Sequence, residues 1–490
     1  MKQATMIACL LLLLAGSAAA QLETEWIRTY GGASNDGFRS AIPAGDGGFV
    51  AVGYTYSYGP GDVNIFAVRT DAAGDTLWMR AFGGDGRDYA YGVCRALDGS
   101  YVIAGYTTSF GSGAEDVYVL KVDVSGNTLW SRTYGGAMPD EGRAVCAAPD
   151  GGVVVSGLTE SYGSGRSDCY VLKIDAAGDT VWTRVTGGAE GDWAQGICLL
   201  GDGTYGVSGT TGSNSDNRDI YCLKFSDDGT MVWDGYYGDV GPINPDWGMG
   251  VCAVADTEMV LTGYRALEGR DPGELCLLRT DLDGAQLGYR KWADDFYEYG
   301  CDICRTPDLA YLMCGASKDD STMLNDLLLV KKVDGLGWVW ADTLGGPGSD
   351  WGSSIMQSDP GVYIISGHTS SSGAGGFDGW LLHMREPSAG VRGEDDLRQG
   401  ALMPVPIPNP FSGATAIRCN LPRPATLTLA VYDVTGRRVA LLAEGPHQAG
   451  TLSLAWDGRD DNGRKLSPGV YVASLVAGEA STSRKLVLLK

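Results

Sequence analysis

The feature that most limits what this chain can fold into is a repeat. Aligned on itself, the sequence shows a period close to 52 residues (Cys94 to Cys146, Cys146 to Cys198), as in "DYAYGVCRALDGSYVIAGYTTSFGSGAEDVYVLKVDVSGNTLWSRTYGG" from Asp88 to Gly136. The unit recurs seven times between Trp26 and about Arg385. One column reads Ile42, Cys94, Cys146, Cys198, Cys252, Cys304, Met356, apolar or thiol throughout, which marks a core position. Each unit contains four short β segments: one around that column, one such as Tyr101 to Tyr106, one such as Val117 to Asp123, and one opening at Trp78, Trp130 or Trp182. Turns such as "LDGS" (Leu97 to Ser100) and "DVSGN" (Asp123 to Asn127) join them, because glycine supplies the positive φ that tight hairpins need. The 74 glycines, about twice the usual ~7%, follow no G-X-Y period and so report turns.

Four antiparallel strands per repeat, seven repeats and no helical periodicity predict an all-β chain folded as a seven-bladed β-propeller, which protects its sheet edges around a central channel. A linear solenoid is the alternative. The ends of the repeat favour closure: the strand Trp26 to Tyr30 precedes the first repeat, while the last unit stops after its third strand at Leu381 to Arg385. The N-terminal strand is therefore expected to complete the seventh blade. Blades five and six fit the template least well, since Gly288 replaces the Trp and "GDVGPINPDW" (238–247) carries an insertion.

Through "W-x-R-x-x-GG", "DGGxxVxGxT" and "D-x-x-G-x-x-x-W", residues 22 to 387 resemble the β-propeller repeats of many secreted bacterial proteins, a likeness that implies fold rather than chemistry. "VYVLKVDVSGNTLW" is also similar to the third and fourth strands of pyrroloquinoline-quinone-type repeats, and the third-to-fourth turns resemble the Asp-box hairpins of sialidases. These likenesses keep an extracellular quinoprotein or carbohydrate-active enzyme open as the alternative function.

Residues 1 to 20 have the basic start, apolar run (Met6 to Gly16) and Ala18-Ala19-Ala20 end of a secretory signal peptide. The apolar run is too short to span a bilayer, and Cys9 lies inside it rather than where a lipid anchor requires one. Export to the medium or the outer cell surface is expected, with no transmembrane segment. Loss of Cys9 with the leader would leave 12 − 1 = 11 cysteines, which cannot all pair within one chain. A formal charge of −23 disfavours nucleic acid and predicts attraction toward cations.

In an up-and-down meander, the inter-blade connections and the second-to-third loops share one end of each blade. The connections end in Asp36, Asp88, Asp140, Asp192, Asp246, Glu298 and Asp350, followed in four blades by Trp193, Trp247, Tyr299 or Trp351. The other loops end in Asn64, Asp116, Asp168, Asp219, Glu274, Asp326 and Asp378. Two readings follow. Each acid accepts backbone N–H bonds within its own loop, or the seven connection carboxylates surround the channel mouth and concentrate a cation or cationic ligand, with the aromatics as stacking faces for sugars. On the second reading the ligand-binding residues are those seven carboxylates with Trp193, Trp247 and Trp351. No cofactor is expected, although a cation such as calcium is compatible with such a ring.

Catalytic motifs are missing: there is no G-x-S-x-G, H-E-x-x-H or G-x-x-x-x-G-K, and no catalytic residue is assigned. Cys301 and Cys304 form a C-x-x-C, but residues three apart on a strand point to opposite faces, which argues against a shared zinc. His368 and His383 fall in repeat columns, the latter with Arg69, Lys121, Lys173, Lys224, Arg279 and Lys331, a basic column expected on a solvated face and paired locally with acids.

After a polar, then proline-rich linker (388–407), alternating segments from Thr426 to Leu489 predict a small β-sandwich over 408–490. "PNPF" (Pro408 to Phe411), "VYDVTGRRV" (Val431 to Val439), "AGTLSLAWDGRDDNGRKLSPGVYVASL" (Ala449 to Leu475) and the terminal "RKLVLLK" resemble the immunoglobulin-like domain of the flagellar hook-cap protein and the C-terminal sorting domains of type IX secretion substrates. That likeness implies type IX-like secretion machinery as a partner and the propeller as cargo. The acidic turn Asp457, Asp460, Asp461, Asn462, Gly463 lacks the twelve-residue calcium pattern and reads as a hairpin loop. The expected function is a non-catalytic binding or adhesion module for an unknown extracellular ligand, a glycan or a cation.

Overall fold

The computed structural model describes residues 22–387 apart from 214–217, 239–244, 255–256, 268–269, 293–296, 309, 319–323 and 334–336, and residues 405–489 apart from 408–410, 412, 422–424, 434–436, 449, 462 and 478–479. The expected leader, most of the linker and the core of the blade-five insertion lie outside the described residues. The chain divides into two compact units, 1–387 and 388–490. Regular structure among the described residues is entirely β-strand.

In the first unit β1 (Glu23–Tyr30) is set apart from β2 (Asp36–Pro43), β3 (Phe49–Thr55), β4 (Asn64–Thr70) and β5 (Thr76–Phe82), which form one antiparallel four-stranded sheet in chain order. Five further sheets repeat that order, and the seventh, built from Asp350–Asp359, Val362–Thr369 and Asp378–Arg385, takes β1 as its fourth strand. Trp26 lies opposite His383 and Tyr30 opposite Gly379. Innermost strands contact in sequence around the ring, and β2 packs against the seventh blade, where the Ala41 N–H donates to Ser354 Oγ at 3.1 Å. The result is a closed seven-bladed propeller, not a solenoid.

The two middle strands of a blade are buried along their whole length, as in Tyr101–Thr107 and Asp116–Val122, because neighbouring blades cover both faces. Such strands read as continuous apolar runs rather than alternations. Blades are latched by the outer-strand Trp: Trp78 Nε1 donates to Val124 O at 2.9 Å, Trp130 to Ala176 O at 3.0 Å and Trp182 to Asp227 O at 2.9 Å, each across to the D-x-x-G turn of the next blade. Trp26 on β1 does the same to Ala72 O of blade one at 3.1 Å, so the closing strand behaves as the seventh blade's own. The turn glycine, Gly126 at φ 80°, rests against Trp78, which explains why the two motifs travel together.

The basic column departs from its expected solvated face. Lys121, Lys173 and Lys224 are only 5%, 2% and 4% exposed, and their ammonium groups thread out between blades to Asp98 (2.8 Å), Asp150 (2.7 Å) and Asp202 (2.7 Å). The pairing with acids holds; the solvation does not, because long apolar stems fill the inter-blade space while the charge snorkels out. His383, the variant in that column, pairs with Glu25 of β1 at 2.8 Å.

The second unit contains a sheet ordered Val405–Ile407, Thr415–Leu421, Gly450–Trp456 and another ordered Arg438–His447, Ala425–Asp433, Gly469–Ala477, Ala480–Leu488. Its core gathers Phe411, Ile417, Leu429, Val431, Trp456, Tyr471 and Leu486, as expected of a β-sandwich. In the acidic turn Asp460 accepts the Arg464 N–H at 2.8 Å, the bond of a hairpin loop.

Candidate functional site

The innermost strands surround a channel of about 1070 Å³. Each inner strand carries the same irregularity. In blade two the register slips between Ala90 and Gly92, so that Tyr91 is extruded from the ladder, and equivalent slips follow Phe38, Gly142, Ala194, Gly248, Gly300 and Gly352. A bulge of this kind re-aims one side chain. The glycine of the "VxGxT" motif permits it: a Cβ on Gly105 would stand 1.7 Å from Tyr89 O, and Gly157, Gly263 and Gly367 meet the equivalent carbonyls at 1.8, 1.8 and 1.7 Å. The bulges place Arg39, Tyr91, Arg143, Gln195, Met249, Cys301 and Ser353 on the channel wall. Seven repeats thus present six different kinds of side chain at seven equivalent positions, arginine occurring twice.

The residues that follow each bulge, Ser40, Gly92, Ala144, Gly196, Gly250, Asp302 and Ser354, also line the channel, as does the apolar and thiol column from Ile42 to Met356. The five thiols of that column therefore line the channel while also packing into the apolar clusters between blades, as a core column should. They are free, and burial holds the thiols of Cys94 and Cys198 up at about 12, so they are protonated and unreactive near neutral pH. Because Cys301 is the bulged residue, Cys301 and Cys304 both reach the channel, against the expectation of opposite faces. Among the described residues no group of three or more His, Cys, Asp or Glu is arranged to hold a metal ion.

At the end of the channel where the inner strands begin, aromatic rings form a collar. One arc runs Trp193, Trp247, Tyr264, Tyr299, Trp351, His368, Phe377, with neighbouring centroids 5.2 to 5.9 Å apart. The other stacks Tyr54 on Tyr89 (4.7 Å) and Tyr89 on Tyr106 (5.7 Å). Arginines cover the rings: Arg143 Cζ lies 4.3 Å from the Tyr91 centroid, Arg39 lies 5.6 and 5.8 Å from Tyr54 and Tyr89, and Arg218 lies 4.6 and 4.5 Å from Trp193 and Trp247. Burial, assisted by nearby Arg39, lowers His368 to about 3, so its ring is neutral.

The sequence-predicted carboxylates are elsewhere. Asp36, Asp88, Asp140, Asp192, Asp246, Glu298 and Asp350 are all 0% exposed, which corrects the reading of an open acidic ring at the mouth. Asp36, Asp88, Asp140, Asp192 and Asp350 fold into their own connections. Asp88 accepts the Gly84 N–H at 2.8 Å, Ser109 Oγ at 2.7 Å and the Thr107 hydroxyl. Asp36, Asp192 and Asp350 take the same Gly and Ser donors, and Asp246 accepts the Tyr289 hydroxyl at 2.8 Å. In blades one to four and seven the "GG", the acid and the "T-x-S" are therefore one hydrogen-bonded device; blades five and six lack both flanking motifs. The second acidic set behaves alike: Asp116, Asp168 and Asp378 are buried and accept loop N–H groups. Trp193, Trp247 and Trp351 are brought together at the mouth, half-buried in the collar.

Electrostatically the channel is the reverse of the whole chain. Its charged lining residues are Arg39, Arg95, Arg143 and Arg305 against Asp302, a balance of 4 − 1 = +3 inside a protein of −23. The Asp302 carboxyl accepts the N–H groups of Ile303 (2.8 Å) and Ile355 (3.0 Å), and burial raises it to about 6. Sequence reasoning missed this wall. Its signal was the bulge column, the inner-strand position at which the repeat abandons its own template.

Comparison with known proteins agrees on parts. Residues 409–481 match the FlgD Ig-like domain family. The regulatory protein FlaEY of Caulobacter vibrioides is 30% identical over 170 residues, covering 30% of this chain and 18% of that protein, so the chain spans about a fifth of its curated relative. Similar solved structures include PorZ, a surface component of the type IX secretion system of Porphyromonas gingivalis (12% identity, TM-score 0.40, covering 94% of this chain and 60% of PorZ). A protein of unknown function from Dyadobacter fermentans shares 13% identity at TM-score 0.45, over 74% of this chain and 99% of its own. The chain is thus an all-β propeller protein with a FlgD Ig-like domain in its C-terminal unit.

Proposed function

We propose that this chain is an exported or surface-displayed binding protein whose propeller captures an extracellular ligand at the collared mouth without turning it over. The C-terminal Ig-like unit serves its passage through type IX-like secretion machinery, and the sequence at 1–20 serves the first export step. The observation that carries the binding reading is the bulge ring: a repetitive scaffold spends seven equivalent positions on six different kinds of channel-facing side chain, which is how a symmetric fold acquires an asymmetric site. Among the described lining residues Asp302 is the single carboxylate. That supports binding over glycoside hydrolysis, which uses two acids roughly 5 to 9 Å apart. A glycan array probed with the purified protein and with a Tyr299→Ala, Trp351→Ala double variant tests the reading; signals that are equal for both proteins would refute it. Cell fractionation with and without 388–490 tests the export role, and an unchanged distribution would remove it.

A further inference from the structure

The channel wall carries polar donors that the protein leaves unanswered. Arg39 Nε, Arg143 Nε, Arg305 Nη1 and Gln357 Nε2 are buried atoms with no hydrogen-bond partner among the described residues, while the Arg39 and Arg143 side chains as a whole are half-buried and line the channel. Donors of this kind are rare in a folded interior and mark a place where something else completes the bonding. Arg143 is partly neutralised by Glu141 at 2.6 Å. Among the described residues Arg39 is answered by the neutral Tyr89 hydroxyl, at 3.3 Å, and by the faces of Tyr54 and Tyr89. A guanidinium held in place by rings yet lacking a carboxylate is preset to receive one, because its fork matches the two oxygens of an acid.

We propose that the mouth binds an acidic saccharide, with Arg39 and Arg143 receiving its carboxylate and the half-buried rings of Tyr299 and Trp351 offering the stacking face. This rests on the binding reading above and specifies the ligand's charge. The sign is opposite to what the chain's net charge suggests. The wall is positive while the remainder is strongly negative, so an anion is repelled at the general surface and retained only in the channel. A neutral sugar could offer the Arg39 donors hydroxyl oxygens but no compensating charge, and a cationic ligand would face Arg39 and Arg143 directly.

Isothermal titration of the purified protein with a galacturonate oligosaccharide, with its methyl ester and with a sulfated oligosaccharide of equal length tests the assignment. The acid should bind at least tenfold more tightly than the ester, and Arg39→Gln and Arg143→Gln should each cost roughly tenfold or more, as expected for a charge-assisted bond. Arg39→Lys should fall between, and Arg80→Gln on an outer strand should change nothing. Melting curves for each variant separate lost binding from lost folding. Tighter binding of the sulfated probe than of the uronate would keep the anion site and overturn the carboxylate. Equal affinity for acid and ester that is sensitive to Trp351→Ala but not to Arg39→Gln would overturn the charge assignment and leave the mouth as the binding site. Binding untouched by Trp351→Ala, or no binding of any probe by a folded protein, would overturn both.

Discussion

Replacing Asp88 by Ala separates a structural carboxylate from a ligand-binding one. The side chain is completely buried and accepts three hydrogen bonds, from the Gly84 N–H (2.8 Å), Ser109 Oγ (2.7 Å) and Thr107 Oγ1. Bonds to a charged acceptor contribute about 1.5 to 3 kcal/mol each. The two hydroxyls can rotate toward other acceptors, whereas the Gly84 N–H is fixed by its backbone, so the loss is smaller than three full bonds. About 4 kcal/mol is expected, the size found when one partner is removed from a buried charged network. For a unit of this size that lowers the melting temperature by roughly 5 °C. Asp88→Asn should lose about half as much, since it keeps one acceptor and turns an amide toward the donors. Circular dichroism melts and urea titration measure the change, alongside titration with whatever ligand the wild type binds. Unchanged stability with lost binding would show that the carboxylate faces a ligand and would refute the sealed-loop argument.

Deleting residues 22–31 should leave the seventh blade with three strands and an open edge, lowering the melting temperature and producing strand-exchanged oligomers in size-exclusion chromatography; a peptide of that sequence added in trans should restore the monomer. An unaffected melt would contradict closure by β1, whose register runs from Glu23 opposite Arg385 to Tyr30 opposite Gly379. Gly105→Ala forces a Cβ to 1.7 Å from Tyr89 O and should sharply reduce the soluble yield, whereas Gly288→Ala, which meets nothing within 4 Å, should be neutral in the same expression test. For Asp302 the folded-state pKa near 6 lies above the ordinary value of 3.8, so the unfolded chain ionises first and stability falls as pH rises from about 4 through 6. The cost above pH 6 is at most about 3 kcal/mol and, with channel water screening the charge, about 2. Comparing urea midpoints of wild type and Asp302→Ser at pH 4.5 and 7.5 isolates it; a gap that does not change with pH would show that Asp302 ionises normally.

Much of this architecture is legible in one dimension because the repeat supplies seven copies of the same argument. The column of Cys94, Cys146 and Cys198, the Trp of every outer strand but that of Gly288, and the glycine turns state a four-stranded unit, and the orphan strand Trp26 to Tyr30 states its closure. The same regularity misled the reading of the site. A carboxylate present in all seven connections looked like a ring, whereas repetition copies structural residues most faithfully. In the five repeats that have them, the "T-x-S" is separated by a hairpin from the acid and its "GG", so their convergence on one buried carboxylate is a tertiary fact.

Strand order, blade number and the identity of the closing segment follow from periodicity, since each depends on local pattern and on counting. Which side chains face the channel does not, because that direction is set by a bulge in the inner strand, itself made possible by a glycine some fifteen residues away on the facing strand (Tyr91 and Gly105). A period-two reading misassigns every residue past the slip. Only the assembled ring shows that Arg39 and Arg143, 104 residues apart in the chain, share one wall, and that a protein of net negative charge keeps a positive interior for whatever enters it.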